Sequence, residues 1–189
     1  MGVRLLLGRD DASLMGLSVI LINMESPVPM RVAVRQMQPE DAEAVAALSC
    51  QLGYPATAAD VSRRLASMER HPDARVFVAQ ASNAQIVGWI HIYATCLLES
   101  DADAEIGGLV VAEEARGRGV GGILLAAAER WAAELAYPAV RVRSNILRVQ
   151  ARGFYEHLGY EHIKTQNNFR KALTLSSRDS RGSKRQEAT

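Results

Sequence analysis

The sequence predicts one α/β domain, and three observations lead to that fold class. The chain has 189 residues, a length that corresponds to about one domain. Hydrophobic residues make up 48% and charged residues 23%, as in ordinary soluble globular proteins. Strand-like and helix-like hydrophobic patterns follow one another without an internal repeat or linker, which is typical of a mixed α/β architecture.

Each element is predicted from its hydrophobic pattern and from the residues that end it. Val32 and Val34 alternate with arginines in the first strand. Pro39 and the two acids after it begin a helix that Gly53 ends, since proline and acids favour the first helical turn. Predicted in order are strand 31–37, helix 39–53, helix 57–70, strands 74–80, 86–98 and 104–111, helix 119–136, strand 140–143, helix 148–158, and strands 160–164 and 168–173.

Charge and cysteine content exclude several classes of protein. The chain carries 22 basic and 21 acidic residues, for a net charge of +1, so no excess charge favours nucleic acid or an anionic membrane as a partner. Two cysteines and four scattered histidines are too few for a disulfide framework or a four-cysteine zinc site. We therefore expect a cytoplasmic protein without a metal.

Both ends of the chain are predicted to lie outside the domain. Residues 1–29 have the character of a disordered leader or of a start codon assigned too early, and residues 176–189 that of a disordered tail. The apolar run at 14–22 is shorter than the about 20 residues that span a bilayer. Residues 30–175 remain as the folded domain.

The most informative segment runs from Leu109 to Leu125, where a β-branched strand enters a glycine-dense turn and then a helix. Glycines let the backbone approach an anion closely, and a helix N-terminus offers free N–H groups and the positive end of its dipole. Arg116 and Arg118 add charges able to pair with phosphates. The segment therefore predicts a pyrophosphate-binding turn.

A rival interpretation of the same turn is a dinucleotide site. Gly117, Gly119 and Gly122 satisfy the G-x-G-x-x-G spacing. That fingerprint belongs to the first β-α-β unit of a long parallel sheet, whereas here it comes late in the chain. Arg141 and Arg143, rather than an acid, stand about twenty residues further on. A nucleotide-binding oxidoreductase is therefore the weaker hypothesis.

Two blocks of sequence resemble a known family. Residues 116–121 resemble the R/Q-x-x-G-x-G/A acyl-CoA signature of the GNAT family of N-acetyltransferases. The resemblance covers about residues 31–174. Its further matches are Ser144-Asn145, Ala151, Phe154-Tyr155 and Gly159-Tyr160 in the second block, and Gln51 to Pro55 in the loop between the first two helices.

The resemblance implies a single mixed, mostly antiparallel sheet that is flanked by helices and splayed between its fourth and fifth strands. Acetyl-CoA would lie in that opening as the co-substrate, held by strand backbone and by the glycine turn. Many members have an asparagine where this chain has Arg148, and Asn145 is the nearest asparagine, so both remain candidates. The implied cofactor-binding residues are Leu109, Val110, Val111, Arg116, Gly117, Arg118, Gly119, Val120, Gly121, Gly122, Asn145 and Arg148.

Acetylation of an amine requires a base for the amine proton, a donor for the oxyanion and an acid for the leaving thiolate. The resemblance places Tyr155 beside the CoA sulfur as the acid, and the Val111 amide, in a sheet bulge, as the oxyanion donor. Glu105 lies eleven residues before Arg116, an offset similar to that of the catalytic glutamate in histone-acetylating relatives, and is the predicted base. His91 on the neighbouring strand, or a chain of water molecules, is the alternative.

The acceptor pocket is expected between the first inter-helix loop and the third and fourth strands. Tyr54 comes from the loop, and Trp89, His91 and Tyr93 share one strand face because side chains alternate along a strand. Nearby acids favour a cationic amine, on a small molecule or a peptide. They are Glu99, Asp101, Asp103 and Glu105.

The sequence thus predicts an acetyl-CoA-dependent N-acetyltransferase that works by direct transfer in a ternary complex. Cys50 and Cys96 have no evident activating partner, which argues against a covalent acetyl-cysteine step. The alternative from another functional class is a catalytically silent acyl-CoA-binding regulatory module. We expect a monomer or homodimer with no nucleic-acid or membrane partner.

Overall fold

The structure is a computed structural model that describes residues 28–68 and 70–173. The predicted tail, and the predicted leader up to residue 27, lie outside the described residues. The chain divides into two compact units, with the boundary between Arg143 and Ser144. Within the described part of the chain, no helix is long and apolar enough to cross a membrane.

The first unit is built on a five-stranded sheet whose strands lie in chain order. Adjacent strands are antiparallel except the last two, which are parallel. The strands are β1 (Val32–Gln36), β2 (Ala74–Ala81), β3 (Ile86–Ala94), β4 (Ala104–Val111) and β5 (Val140–Val142), and the helices are α1 (Ala42–Gln51), α2 (Ala58–Met68) and α3 (Val120–Glu134). A parallel pair requires a crossover, which α3 supplies, and the predicted mixed sheet is confirmed.

Helices cover both faces of the sheet. A Cβ added at Gly88 would lie 3.0 Å from Leu124 Cδ1 of α3, so that face of β3 packs on α3. The next residue, Trp89, points to the opposite face, where Leu52 follows the end of α1. Ile90 and Ile92 are fully buried in the core, and burial of each such side chain stabilises the fold by about 1.5–3 kcal/mol.

A short 3-10 turn at Pro39–Asp41 leads into α1. The Asp41 carboxylate accepts a bond from the Gln38 amide at 2.8 Å and two bonds from the Arg35 guanidinium at 2.7 and 2.8 Å. These bonds, the Arg35 bonds foremost, hold the pKa of Asp41 below its ordinary value. The proline and acid signal in the sequence therefore marks the start of this helix correctly.

The sheet opens between β4 and β5, as predicted. β5 pairs only with Ala104, Glu105 and Ile106 of β4. Residues 108–111 pair with β3 on one edge, and no described strand lies on their other edge. A long strand beside a three-residue strand therefore leaves one half of β4 with a free backbone edge.

The second unit contains α4 (Val149–His157). Gly159, with φ of 87°, ends the helix, and the Tyr160 amide donates to the Tyr155 carbonyl at 3.0 Å. This left-handed glycine closes the helix in the usual Schellman arrangement, at the residue that the sequence predicts.

Two strand predictions are wrong. Strands at 160–164 and 168–173 are absent, because these residues make no ladder in the structure and Phe169 is 89% exposed. An alternating pattern alone is not enough, since a strand must pair its N–H and C=O groups with a neighbour. β3 also ends at Ala94 rather than Leu98, and the connection to β4 then begins with the Thr95 amide donating to the Asp103 carbonyl at 2.7 Å.

Candidate active site

The half of β4 that pairs with β3 alone presents backbone groups to the open edge in a fixed pattern. The Ala112 amide donates to the Val87 carbonyl of the β3 side at 2.9 Å. Alternate residues of an antiparallel strand bond the same neighbour, so Val110 also bonds towards β3. The N–H and C=O groups of Leu109 and Val111 therefore point to the open edge. All three predicted residues lie in this stretch, and two of them present polar backbone groups to the opening.

The predicted phosphate turn follows directly. Gly117 and Gly119 have φ values of 72° and 83°, a left-handed conformation that glycine adopts without a Cβ penalty. α3 begins at Val120 with no capping side chain, and the Ile123 amide makes the first helical bond, to the Gly119 carbonyl at 3.2 Å. The four amides from Gly119 to Gly122 precede that bond and have no partner within the helix.

The space around this turn suits a bulky anion. A Cβ added at Gly119 would meet no atom within 4 Å. Val120 is 1% exposed, so its side chain belongs to the core and does not line the turn. The structure therefore brings the predicted glycines together as a backbone surface rather than as a set of side chains.

The two arginines of the turn are both held through their Nε atoms. Arg116 Nε donates to the Val111 carbonyl at 3.1 Å, and Arg118 Nε donates to the Val28 carbonyl at 3.2 Å. Arg116 also lies 3.5 Å from the Glu113 carboxylate. A guanidinium has five N–H donors, so these bonds orient the groups without exhausting them.

A bulge in β4 sits across from His91. His91 pairs with Gly108 and Ile92 with Ile106, so Gly107 is the extra residue. A Cβ at Gly107 would lie 2.7 Å from His91 Nδ1, and one at Gly108 would lie 2.8 Å from the Trp89 ring. The expectation of a bulge at Val111 is wrong, since the pairing is regular there. The extra residue lies instead where two glycines leave room for aromatic rings.

The predicted face of β3 is confirmed as a row of rings, and His91 lies at its centre. The His91 and Tyr93 rings lie 5.3 Å apart. Burial lowers the pKa of His91, which favours the neutral imidazole at neutral pH. His91 Nε2 and Trp89 Nε1 are buried without a hydrogen-bond partner among the described residues. These two nitrogens are therefore the polar groups of this face that remain to be satisfied.

The structure places Glu105 in an ion pair. Glu105 is buried, and its Oε1 accepts from the Tyr93 hydroxyl at 2.8 Å and from Arg143 Nε at 2.9 Å. Burial, and then the bond to Glu105, raise the pKa of Tyr93. Asp103, also buried, pairs with Arg141. Two of the four acids expected to attract a cationic amine are thus already paired with arginine side chains.

Sequence reasoning missed three contributors to this region. Arg141 and Arg143 alternate with valines, and they pair with Asp103 and Glu105 rather than with a nucleotide phosphate. The Gln51 side chain accepts a bond from the Glu113 amide at 3.2 Å and so ties the end of α1 to the turn after β4. Tyr54, three residues beyond, is 68% exposed.

The remaining predicted site residues lie in the second unit. Burial raises the pKa of Tyr155, whose ring lies 5.1 Å from Phe154 and 5.6 Å from Tyr160. Asn145 accepts a bond from the Leu147 amide at 2.9 Å, and its carbonyl accepts one from the Arg148 amide at 2.9 Å. Asn145 therefore shapes the turn into α4, and Arg148 stands at the start of that helix.

Among the described residues, neither a metal-binding cluster nor a surface concavity coincides with this site. No group of three or more histidine, cysteine or acidic side chains there is arranged to hold a metal ion. A concavity of about 430 Å³ lies on α2, away from every predicted site residue. It is lined by Arg63, Arg64, Ser67, Met68 and Arg70.

Comparison with known proteins identifies a domain in this chain. Residues 72–162 match the model of the acetyltransferase (GNAT) domain. This chain carries a GNAT acetyltransferase domain. The match spans β3, β4, the glycine turn, α3, β5 and α4, and so includes every element that carries a predicted CoA contact. No curated protein matches the chain.

Solved structures share the GNAT fold. The aminoglycoside N-acetyltransferase AAC(6')-Iy, solved in complex with CoA, is 19% identical with a TM-score of 0.68, over 78% of this chain and 99% of its own. AAC(6')-Ih from Acinetobacter baumannii is 14% identical with a TM-score of 0.66, over 76% and 100%. A GNAT family acetyltransferase from Staphylococcus aureus is 24% identical with a TM-score of 0.60, over 76% and 100%.

Proposed function

We propose that this GNAT protein transfers the acetyl group of acetyl-CoA to a primary amine of a small molecule or peptide, by direct attack in a ternary complex. The observation that carries the proposal is the open edge of β4 at residues 107–111, which leads into a helix N-terminus without a cap. An extended amide-containing chain pairs with such an edge, and a pyrophosphate binds at such a helix start.

The residues fit acetyl-CoA as a substrate. The N–H and C=O groups of Leu109 would pair with the amides of the pantetheine arm, as a short added strand would, and the Val111 N–H remains for the acyl group. The free amides from Gly119 to Gly122 would hold the pyrophosphate, with Arg116 and Arg118 beside them. The open space at Gly119 supports the same placement, because phosphate oxygens must approach the backbone there.

The acid proposed for the leaving thiolate is Tyr155. Burial raises the pKa of this phenol above its ordinary value, so it is protonated at neutral pH and able to donate. The Val111 amide, which points to the open edge, is the proposed donor to the developing oxyanion. This role does not need the bulge, since the direction of the N–H follows from the strand pairing.

For the base we propose His91, with Glu105 as the alternative. An uncharged imidazole can accept a proton, and burial lowers the pKa of His91 in the direction that keeps it neutral. Glu105 Oε1 already accepts bonds from Tyr93 and Arg143, so this oxygen is engaged within the protein. We therefore assign Glu105–Arg143 to the support of β4 and β5.

The acceptor amine is proposed to approach along Trp89, His91 and Tyr93, with Tyr54 at the rim. A preference for cationic amines now depends on Glu99 and Asp101, because Asp103 and Glu105 are paired with arginines. Matched cationic and neutral primary amines of similar size would therefore differ modestly as substrates. The relatives described above as aminoglycoside acetyltransferases make amino sugars a sensible part of such a set.

The experiment combines calorimetry with an amine screen. We expect acetyl-CoA to bind, and free CoA thiol to appear with at least one primary amine. Tyr155→Phe should then lower kcat by about 10–1,000-fold while acetyl-CoA binding changes little. Binding without thiol release from any amine would favour the silent acyl-CoA-binding module. Failure of acetyl-CoA to bind, or tighter binding of NADPH, would contradict the proposal.

A further inference from the structure

The segment Val28–Met30, just before β1, holds the centre of the phosphate turn at two points. The Met30 amide donates to the Arg118 carbonyl at 3.0 Å. Arg118 Nε donates back to the Val28 carbonyl at 3.2 Å. Arg118 is thus tied through both its backbone and its side chain to residues about ninety positions earlier, and sequence analysis gave no reason to expect this.

The backbone bond has a consequence for the neighbouring amide. The Arg118 carbonyl and the Gly119 N–H belong to one planar trans peptide, so they point in opposite directions. When Met30 fixes the carbonyl, it also fixes the direction of the Gly119 N–H. The glycines on both sides of Arg118 have φ values of 72° and 83° and rotate easily. This bond therefore restrains a peptide that would otherwise be free to turn.

The side-chain bond acts in the same way on the guanidinium. Because Nε donates to the Val28 carbonyl, the plane of the guanidinium is set, and its two terminal nitrogens remain as donors for a phosphate. One short segment thus orients both a backbone donor and a charged donor of the same turn. Val28 is 75% exposed, so these contacts do not depend on burial of its side chain.

We propose that Val28–Met30 is a positioning segment of the CoA-binding turn, which sets the Gly119 amide and the Arg118 guanidinium before the pyrophosphate binds. The inference rests on the proposed function, because it assumes that this turn binds acetyl-CoA. It also moves the functional boundary of the domain, since Val28 and Pro29 lie in the predicted leader.

The test uses the full chain and two variants at one position. Met30→Pro removes the N–H donor, whereas Met30→Leu keeps it and changes only the side chain. By calorimetry, acetyl-CoA should bind Met30→Pro about tenfold more weakly, the scale of one backbone hydrogen bond, and Met30→Leu as the wild type does. KM should rise with kcat nearly unchanged, because the segment touches no reacting atom. A loss of packing alone would lower the melting temperature without this pattern.

A second variant decides the matter if Met30→Pro does not fold. Pro29→Gly keeps both hydrogen-bonding groups but frees the backbone between them, so affinity should fall about two- to fivefold at an unchanged kcat. If Met30→Pro folds and binds acetyl-CoA as tightly as the wild type, the inference is overturned. If Met30→Pro does not fold, wild-type affinity in Pro29→Gly overturns it instead. No binding of acetyl-CoA by the wild type would instead refute the proposed function.

Discussion

The two halves of β4 lie in the same strand but have different surroundings. Ala104 to Ile106 pair with β3 on one edge and β5 on the other, and Glu105 is buried in an ion pair that spans β4 and β5. Residues 107–111 begin with a glycine bulge and have a neighbouring strand on one edge alone. The first half satisfies its polar groups within the sheet, while the N–H groups of Leu109 and Val111 in the second half point to an edge without a described strand.

This difference separates stability from binding along a single strand. A backbone group that is already paired cannot bind a ligand without breaking the sheet, whereas a free N–H or C=O gains a bond when a ligand arrives. His91 lies opposite the open half, at Gly108, and Tyr93 lies opposite Glu105 in the closed half. Under the proposed function, the chemistry belongs to the open half and the structural support to the closed half.

The largest effect on kcat/KM should come from replacing the titratable side chain of each half in turn. His91→Gln should lower kcat/KM by about 100-fold, because a general base contributes about 10²–10⁴-fold. Glu105→Gln should lower it by less than about tenfold. Steady-state kinetics at saturating acetyl-CoA measures both. The reverse order of effects would return the base to Glu105 and would break the assignment of chemistry to the open half.

A substitution at the start of α3 should weaken acetyl-CoA binding. Gly119→Glu places a negative charge where the pyrophosphate is proposed to lie, so the dissociation constant should rise at least about tenfold, or about 1.4 kcal/mol. Gly119→Ala is the matched control, since both variants force a side chain into the same left-handed φ of 83°. Equal dissociation constants for the two variants, measured by calorimetry, would place the pyrophosphate elsewhere.

The closed half should show its effect in stability. Glu105→Gln removes the charge from the pair with Arg143 and should lower the free energy of unfolding by about 1 kcal/mol, a modest value because Arg143 is largely solvated. Urea unfolding of the variant beside His91→Gln measures the difference. A Glu105→Gln protein as stable as the wild type would show that the ion pair does not support the strand pair.

The smallest expected effect is a pH dependence set by His91. Burial lowers its pKa, so between that value and about 6.5 the unfolded chain binds more protons than the folded one. Stability should therefore rise with pH through this window and be lost as the pH falls through it. The acid limb of kcat/KM should likewise have its midpoint below about 6.5.

Melting temperatures between about pH 5 and 7 measure the contribution of His91. His91→Gln should flatten this part of the profile, while Glu105→Gln should keep it. A profile that is unchanged in His91→Gln would assign the titration to another group. An acid limb that survives His91→Gln and disappears in Glu105→Gln would contradict the proposed base from an independent direction.

Most of the fold followed from the sequence because local signals determine it. Alternating valines gave β1 and β5, and the glycines at 53 and 159 ended their helices where expected. The bulge at Gly107 was not predictable, because it depends on how β3 and β4 align and not on a pattern within either strand. The final strands failed for a related reason, since 160–173 has an extended pattern but no strand to pair with.

The parts of the candidate site that consist of backbone groups were predictable. The glycine turn could be located from its residue types, and Leu109–Val111 through the resemblance to the GNAT family. The ion pair of Glu105 could not, because its partner Arg143 directly follows β5 and meets Glu105 only through the parallel pairing of β5 with β4. The contacts of Val28 and Met30 with Arg118 were not predicted, because their backbone groups would make the same bonds in almost any residue type.

Hydrogen exchange at β4 with and without acetyl-CoA tests the central claim most directly. The account predicts that acetyl-CoA slows exchange of the Leu109 and Val111 amides, which point to the open edge. The Ala104 amide, already bonded to the Ala139 carbonyl at 3.0 Å, and the Val110 amide should change little. Bound acetyl-CoA that leaves Leu109 and Val111 as they are in the free protein would contradict the account.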